Sequence, residues 1–255
     1  MDEITIHHLN AINQEFYASA ADRFEELRRG AWLGWKRFVP YLRSEMSILD
    51  VACGNGRFGQ FAMKHTGPSL RYYGLDSNAR LLEHARASLN GPGIHLEQRD
   101  IVEPPLVLAA SDGSFDLIVL FGVIHHLPGA DRRQALLTML AHRLAPGGIL
   151  AFACWRFYEY PRFWDRIIAW PEDYKVETND FLLDWQRGKH AIRYCHYVDD
   201  VEHAQLITAT GLTVVDDYRA DGESGDANRY TLLRTKAGSR RKVETDRGGQ
   251  KQLAT

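Results

Sequence analysis

The sequence has few cysteines, no long apolar run and almost no net charge. Its three cysteines, Cys53, Cys154 and Cys195, are odd in number and widely spaced, which favours neither a disulfide framework nor a zinc site. No apolar stretch approaches the length of a membrane span, and the acidic residues 1–3 lack the character of a signal peptide. A formal net charge of −2 gives no general attraction to nucleic acid or anionic lipid. We therefore expect a cytoplasmic protein without membrane association, in which any RNA contact needs a local basic surface.

What the 255 residues do contain is an alternation of strand-like and helix-like segments. The predicted strands are residues 47–53, 71–76, 94–99, 115–121 and 149–154, followed by 212–218 and 228–234. The predicted helices are residues 57–64, 79–89 and 132–144. The last two strands are joined by a Gly/Asp/Ser-rich turn, which predicts an antiparallel hairpin. The pattern predicts an α/β, Rossmann-like fold: a seven-stranded, mostly parallel sheet with a C-terminal antiparallel hairpin and helices on both faces.

Three further segments flank or interrupt this alternation. Residues 1–43 carry apolar side chains at helical intervals and predict an N-terminal helical region, so the predicted main domain is 44–235. Residues 155–197 hold twelve of the 28 aromatic residues, either as a satellite core or as a substrate cap between the fifth and sixth strands. Residues 236–255 have six Lys/Arg against two acids, which predicts a disordered basic tail.

A glycine turn follows the first predicted strand. Residues 49–58 read as a buried strand that breaks at Gly54 and Gly56 and then opens a helix. In α/β proteins, nucleotide-like molecules bind at this place. Gly54, Gly56 and Gly59 also fit G-x-G-x-x-G, with Asp76 about 20 residues further on. On spacing alone, a dinucleotide-binding oxidoreductase therefore remains an alternative.

The residues around these glycines resemble motif I of the class I S-adenosylmethionine (SAM) methyltransferases. That motif usually reads D/E-x-G-x-G-x-G, and Ala52 stands in place of its first glycine. Residues 115–127 resemble motif IV and the loop after it, and residues 144–148 resemble the L-x-P-G-G turn before the fifth strand. The terminal hairpin also resembles the methyltransferase sheet rather than a dinucleotide-binding sheet. The resemblance implies SAM as cofactor and S-adenosylhomocysteine as product.

The methionine end of SAM finds its candidate partners in the glycine turn. Gly54 and Gly56 let the backbone approach the methionine moiety. Asp50, just before them, can bind the ammonium group directly or through water.

The nucleoside end finds its candidates after the second and third strands. Asp76 ends the second strand, where its carboxylate can accept hydrogen bonds from both ribose hydroxyls. It could instead cap the next helix, a role also open to Ser77 or Asn78. Asp100 and Ile101 resemble the acid and the backbone N–H that bind adenine in the family. The further cofactor-binding candidates are Asn55, Ser77 and Phe121.

A closer resemblance begins before motif I. Tyr17-x-x-x-Ala21-x-x-Phe24-x-x-x-Arg28-x-x-x-Trp32 is similar to the entry helices of the tRNA wobble-uridine carboxymethyl methyltransferases, a group that includes the methyltransferase domain of AlkB homologue 8. The likeness returns at residues 193–196, which read R-Y-C-H where the family reads R-Y-Y-H. It implies that Tyr17 and Arg28 close over the methionine carboxylate.

Four residues are the catalytic candidates. Arg193, Tyr194 and His196 precede the last helix and hairpin, where they could face the methyl group. Arg193 could hold a substrate carboxylate, and His196 could orient the acceptor or remove a proton. Arg156 is a further candidate anion clamp. Alternatively, Tyr194 and His196 only brace the insert.

The predicted function is methyl transfer from SAM to a carboxylate or similar oxygen or nitrogen acceptor. The acceptor is either a modified tRNA wobble uridine or a small carboxylate-bearing molecule. A small-molecule O- or N-methyltransferase, an NAD(P)-dependent oxidoreductase and an inactive SAM-binding regulatory protein remain alternatives. The adjacent pair His125-His126 lacks a nearby ligand at metal-binding spacing, so no metal is expected. The protein partner is left open.

Overall fold

The computed structural model describes residues 1–27, 30–102, 114–171, 174–185 and 191–235, and the side chains of the first helix as far as Ser19. Arg28 and the predicted tail, 236–255, lie outside the described residues. The α-helices are α1 (Glu3–Leu27), α2 (Arg57–Thr66), α3 (Ala79–Ser88), α4 (Ala130–Ala141) and α5 (Asp200–Thr210). The strands are β1 (Ser47–Val51), β2 (Arg71–Asp76), β3 (Ile94–Gln98), β4 (Phe115–Phe121), β5 (Leu144–Trp155), β6 (Ile167–Ile168), β7 (Asp180–Trp185), β8 (Ala191–His196), β9 (Thr213–Ala220) and β10 (Asn228–Arg234).

A seven-stranded sheet in the order β3-β2-β1-β4-β5-β10-β9 forms the centre. The first five of these strands run parallel, and β10 pairs antiparallel with both β5 and β9. The predicted α/β sheet with its terminal hairpin is therefore confirmed. Antiparallel strands at one end distinguish it from the all-parallel dinucleotide-binding sheet.

Two strand ends differ from the prediction. β1 stops at Val51 because Ala52 and Gly54 have positive φ angles, which an extended strand does not accommodate. β5 begins at Leu144, inside the segment predicted to end a helix, since α4 already ends at Ala141. The bounds of β2, β4 and β10 agree with the prediction.

The sheet is buried on both faces. β1 shows this most clearly, since Leu49 and Val51 belong to one hydrophobic cluster and Ile48 to the other. Leu136 and Leu137 of α4 and Leu206 of α5 cover the first face, while side chains of α2, α3 and the 3₁₀ helix Leu33–Tyr41 cover the second. Alternating side chains of a central strand need both layers.

The 3₁₀ helix Leu33–Tyr41 is fixed to the terminal hairpin. The backbone N–H of Gly34 donates to Asp221 at 2.9 Å, and the hydroxyl of Tyr218 donates to the Gly34 carbonyl at 2.7 Å. A Cβ on Gly34 would lie 2.5 Å from the ring of Tyr230, so only glycine fits here. This anchor holds Trp32 and Trp35 beside the glycine turn.

The aromatic-rich insert, 155–197, contains two short 3₁₀ helices and a second, antiparallel sheet in the order β6-β7-β8. Leu9 of α1 packs between Leu182 of β7 and Tyr194 of β8. The insert and the N-terminal helix therefore form one layer over the carboxyl edge of the main sheet. Among the described helices, none is long and apolar enough to cross a membrane.

Candidate active site

A cavity opens where β1, β2, β3 and β4 end. Both polar and apolar side chains line it, as is usual for small-molecule sites. The predicted cofactor-binding residues that line it are Tyr17, Asp50, Gly54, Asn55, Asp76, Ser77, Asp100, Ile101 and Phe121. The structure thus brings together residues that lie more than 100 positions apart in the chain.

The two glycines of the turn have different surroundings. A Cβ on Gly54 would meet no atom within 4 Å, whereas one on Gly56 would lie 2.6 Å from Leu89. Gly56 therefore lets α2 pack closely against α3, which revises its expected role at the cofactor. Ala52 has φ of 60°, a left-handed conformation that costs a non-glycine residue about 1 to 2 kcal/mol. The turn thus retains strain where the family motif has glycine.

Asp50 is a buried carboxyl at the end of β1. Its Oδ2 accepts a hydrogen bond of 2.6 Å from the hydroxyl of Tyr72. Burial raises the pKa of Asp50 to about 7, while that hydrogen bond and the Arg57 charge act in the opposite direction. A buried carboxylate at a cavity wall is stabilised when a cation binds against it. The position suits an ammonium group.

Asp76 is hydrogen-bonded to the glycine turn and is not the residue that caps α3. Its two carboxylate oxygens accept the backbone N–H groups of Gly54 at 2.8 Å and Asn78 at 2.9 Å. The cap of α3 is Asn78, whose side chain accepts from Leu81 N–H. Burial raises the pKa of Asp76, although these two N–H groups oppose the shift. The remaining lone pairs of the carboxylate are available to hydroxyl donors in the cavity.

Asp100 is held by α1, which the sequence analysis did not predict. Nδ2 of Asn10 and Nε2 of Gln14 each donate to its Oδ2 at 2.7 Å. Together with Asn13 and Tyr17, these amides form a polar stripe on one face of α1 that lines the cavity. The spacing i, i+3, i+4, i+7 was the signal available in the sequence.

Tyr17 and His126 form a hydrogen-bonded pair in the cavity. Nδ1 of His126 lies 2.9 Å from the carbonyl oxygen of Tyr194 and therefore carries the ring proton. Nε2 accepts from the Tyr17 hydroxyl at 2.8 Å. Asn13 joins the same region, since it donates to the His126 carbonyl and accepts from the Tyr194 N–H. The pair thus links α1, the loop after β4 and β8.

Arg193 lies beyond this pair, among aromatic rings. Its guanidinium carbon is 4.5 Å from the ring centroid of Trp155, 5.5 Å from that of Phe16 and 5.6 Å from that of Trp185. Among the described residues, no carboxylate lies within ion-pair distance of it, and 7% of the residue is exposed. Phe16 in turn contacts Tyr17. Arg193 is therefore a buried cation beside Phe16, the chain neighbour of the cavity-lining Tyr17.

Tyr194 and His196 lie elsewhere, in a buried ionic cluster. His196 Nδ1 is 2.7 Å from Asp180 and Nε2 is 2.5 Å from Glu202; because both partners are carboxylates, both nitrogens donate and the ring is cationic. The Tyr194 hydroxyl also donates to Asp180. Side chains alternate along a strand, so β8 sends Tyr194 and His196 to one side and Arg193 to the other. The structure thereby revises the expectation that His196 and Tyr194 face the methyl group.

Arg133 completes this cluster. Its side chain is bonded to Glu177 and Glu202 at 2.6 Å each and to the carbonyl of Leu127 at 2.9 Å. Glu177, Asp180 and His196 are spaced closely enough for a metal ion, but hydrogen bonds among the cluster's own members already occupy them. The cluster ties the insert to α4 and α5.

We expect His196→Gln to lower the free energy of unfolding, and the loss to depend on pH. Burial lowers the pKa of His196 and the hydrogen bonds to Asp180 and Glu202 raise it, with a net pKa above the ordinary value of 6.5. A raised histidine pKa stabilises the fold fully below pH 6.5, and that stabilisation is lost as pH rises through the folded-state pKa. Thermal unfolding should therefore show a larger difference between wild type and variant at pH 6 than at pH 9. An equal difference at both pH values would contradict the cationic assignment.

Arg156 is also engaged in structure. Its guanidinium is bonded to Glu159 and to the carbonyl of Val198, and it stacks on the ring of Tyr197. Oδ1 of Asp200 lies 3.2 Å from Nη2 of Arg156. These contacts leave Arg156 as a connector between the insert and α5, which revises its expected role as an anion clamp.

Comparison with known proteins agrees with the sheet order. A family model described as a methyltransferase domain matches residues 49–150. A putative methyltransferase of Encephalitozoon cuniculi is 31% identical over 203 residues, which cover 79% of this chain and 87% of that one. This chain belongs to the class I SAM-dependent methyltransferases. The sheet of this methyltransferase, with its antiparallel last strands, is the fold expected of that class.

Two further comparisons show which other proteins this methyltransferase resembles. It is 27% identical over 175 residues to the tRNA (carboxymethyluridine(34)-5-O)-methyltransferase ALKBH8 of Mus musculus, covering 69% of this chain but 22% of that one. Among solved structures, the CcbJ methyltransferase from Streptomyces caelestis superposes with a TM-score of 0.62 at 14% identity, covering 88% of this chain and 98% of that one. The latter likeness concerns the fold alone.

Proposed function

We propose that this methyltransferase transfers the SAM methyl group to a carboxylate oxygen of its acceptor. The observation that carries the proposal is Arg193, a buried cation among aromatic rings with no carboxylate partner among the described residues. A planar guanidinium matches a carboxylate through two parallel hydrogen bonds. Burying such a cation without an anion is costly, so a carboxylate-bearing acceptor fits this place better than a neutral one.

With a carboxylate acceptor, the reaction would need no general base from the chain. SAM, when bound, supplies an electrophilic methyl group on its sulfonium. A carboxylate is already anionic, so the chain has only to orient it and exclude water. In this proposal Arg193 orients the acceptor, and the rings of Phe16, Trp155 and Trp185 around the guanidinium keep water away from it.

For the cofactor, we propose that Asp50 binds the ammonium group, Asp76 the ribose hydroxyls, and Asp100 with Ile101 the adenine. This assignment rests on the shared cavity and on the buried carboxyls at its wall. Asn55, Ser77 and Phe121 complete the lining. The prediction that Arg28 contacts the methionine carboxylate falls outside the described residues, and Tyr17 already donates its hydroxyl to His126.

We also propose that α1 closes over the adenine end through the two amides on Asp100. Replacing Asn10 and Gln14 together by Ala is then expected to speed dissociation of S-adenosylhomocysteine about tenfold or more, since two hydrogen bonds to a charged group are lost. Stopped-flow fluorescence measures the rate. Gln60→Ala serves as control, because that amide bonds Ser88 on the surface. An unchanged rate of S-adenosylhomocysteine dissociation in the double variant would contradict the proposed closure by α1.

The test of the carboxylate proposal uses SAM with a labelled methyl group. The enzyme is offered tRNA carrying carboxymethyluridine at the wobble position and, separately, a mixture of small carboxylic acids. Mild alkali hydrolyses a methyl ester and releases the label as volatile methanol, whereas methyl ethers and methylamines retain it. Alkali-labile label in either fraction supports the proposal, and the fraction identifies the acceptor. Label that resists alkali overturns it.

Among carboxylates, we propose the tRNA uridine as the first acceptor to test. The support is the likeness to ALKBH8, a tRNA (carboxymethyluridine(34)-5-O)-methyltransferase of which this chain spans about a fifth. The net charge of −2 favours a small acid instead, because nucleic-acid binding depends strongly on phosphate contacts.

The Tyr17–His126 pair favours a second candidate, methylation of a neutral hydroxyl or amine on a small molecule. A neutral nucleophile must lose a proton, and a histidine that is hydrogen-bonded to a tyrosine hydroxyl can accept one through that hydroxyl. In that case the label would be stable to alkali, and Tyr17→Phe would lower turnover more than SAM affinity.

A further inference from the structure

Tyr194 of β8 connects α1 to the loop after β4. Its backbone N–H donates to Oδ1 of Asn13 at 2.9 Å, and its carbonyl oxygen accepts from Nδ1 of His126 at 2.9 Å. Asn13 and His126 both line the cavity. Leu9 of α1 belongs to the same hydrophobic cluster as the Tyr194 side chain. The position of α1 over the cavity therefore depends on the position of Tyr194.

The side chain of Tyr194 ends in the ionic cluster. Its hydroxyl donates to Oδ1 of Asp180 at 2.7 Å, and the same oxygen accepts from Nδ1 of His196 at 2.7 Å. Nε2 of His196 donates to Glu202 of α5 at 2.5 Å. The backbone of Tyr194 thus holds residues that line the cavity, while its hydroxyl is bonded to a carboxylate that His196 also holds.

Carboxylates surround His196 on three segments of the chain. Among the described residues, the charged groups around the ring are carboxylates from β7, from α5 and from the segment before β7, and a guanidinium from α4: Asp180, Glu202, Asp199, Glu177 and Arg133. A cationic imidazole donates to two carboxylates, whereas a neutral one has a single N–H and a lone pair. Loss of the proton therefore leaves one of these buried carboxylates facing a lone pair, which is costly.

We propose that His196 is a positioning residue whose proton keeps α1 closed, because the cationic ring fixes β8 beneath α1 and the neutral ring releases it. The inference rests on the proposed closure of α1 over the adenine end, to which it adds a dependence on pH. Burial lowers the pKa of His196, but the hydrogen bonds to Asp180 and Glu202 raise it above 6.5. The closed arrangement is therefore fully stabilised below pH 6.5 and loosens as pH rises through the folded-state pKa.

The test measures how fast S-adenosylhomocysteine leaves the wild type and His196→Gln, by stopped-flow fluorescence between about pH 6.5 and about pH 9.5. At the lower pH the variant should release the ligand about fivefold faster or more, because a hydrogen bond between charged groups is lost. At the higher pH the two rates should agree within about twofold. Asp50 also titrates in this range, but it does so in both proteins, so the ratio of the two rates isolates His196.

Glu202→Gln provides a second test that keeps the histidine. It removes one of the two carboxylates that raise the pKa of His196, so the rise in the dissociation rate should move to lower pH by about one unit. Thermal unfolding of each unliganded variant at both ends of the pH range checks that it folds.

His203→Gln is the matched control, because His203 is also a buried histidine of α5 and its ring lies 2.8 Å from the Thr231 hydroxyl. Burial lowers the pKa of His203 to about 4, so its ring is neutral throughout the range. This variant should keep the pH profile of the wild type.

The possible failures are distinguishable. If His196→Gln and the wild type differ by the same factor at every pH, the link between the His196 proton and closure is overturned. If the double variant of Asn10 and Gln14 releases S-adenosylhomocysteine at the wild-type rate, closure by α1 itself fails.

Discussion

Replacing Asp50 by Asn is expected to weaken binding of S-adenosylhomocysteine by about 100-fold or more while making the unliganded protein more stable above pH 7. The affinity falls because the ligand's ammonium group loses the carboxylate opposite it, and removing one partner of a buried ion pair costs about 3 to 5 kcal/mol. Asn can still accept the Tyr72 hydroxyl proton that Asp50 accepts at 2.6 Å. The change therefore removes charge with little change of shape.

The stability gain follows from the pKa of about 7. A carboxyl that titrates higher in the folded than in the unfolded protein binds more protons when folded, so the free energy of unfolding falls as pH rises from about 4 to about 7. Relative to the ordinary value of 3.8, the cost at pH 8 is on the order of 4 kcal/mol. The Asn variant avoids that cost, and its Tm at pH 8 should exceed the wild-type Tm by several degrees.

Ligand binding by the wild type should also respond to pH through Asp50. Affinity is expected to rise about tenfold between pH 6 and pH 8 as the free carboxyl ionises, and calorimetry in buffers of different ionisation enthalpy should show proton release near pH 6.5. The Asn variant should lack the part of the pH dependence that comes from Asp50. Asp116→Asn is the matched control. That carboxylate bonds Ser47 and Arg43 at the amino end of β4, so its loss should lower stability without changing affinity.

Arg193→Gln is expected to reduce kcat/KM for a carboxylate acceptor by about 100-fold or more, with the SAM dissociation constant unchanged within about twofold. The glutamine cannot form the paired, charge-assisted hydrogen bonds of a guanidinium, and the acceptor's carboxylate then enters an apolar site without a cation. Arg193→Lys should recover part of the loss. It keeps the charge but lacks the planar group that stacks on Trp155.

The control for Arg193 is Arg166→Gln, because Arg166 also stacks on an aromatic ring of the insert, that of Phe163 at 5.5 Å. It should leave kcat/KM within about twofold. A neutral amide analogue of the acceptor tests whether Arg193 recognises the negative charge of the carboxylate. The wild type should bind this analogue much more weakly than the carboxylate when both are used as inhibitors, and Arg193→Gln should bind the two about equally. Equal discrimination by both enzymes would assign Arg193 to packing alone.

The fold was predictable because its signals are local. Strand-like segments alternate with amphipathic ones at short intervals, and the first glycine of the turn comes four residues after Asp50. The ends of the elements were less predictable, since the left-handed conformation at Ala52 and the early end of α4 depend on how neighbouring segments pack. The small sheet of the insert carries no motif of its own.

The candidate site was predictable only in part. Asp50, Asp76 and Asp100 each lie at or just after the carboxyl end of a strand of the parallel sheet, and those strand ends meet at one edge. By contrast, the partners of His196 come from β7 and α5, and nothing near His196 in the sequence identifies them. Strand alternation alone separates Arg193 from its neighbours Tyr194 and His196.

The alternation of segments in the sequence determined the α/β fold class, and the motifs indicated by resemblance a methyltransferase with a candidate SAM-binding turn at residues 49–58, because periodicity and motif spacing are properties of contiguous segments. Only the tertiary structure decided which charges face the cavity. It placed Arg57 and the amides of Asn10 and Gln14 there, and it enclosed His196 in an ionic cluster. The physical reason is that the surroundings of a side chain depend on segments far apart in the chain, which become neighbours only when the sheets and helices pack.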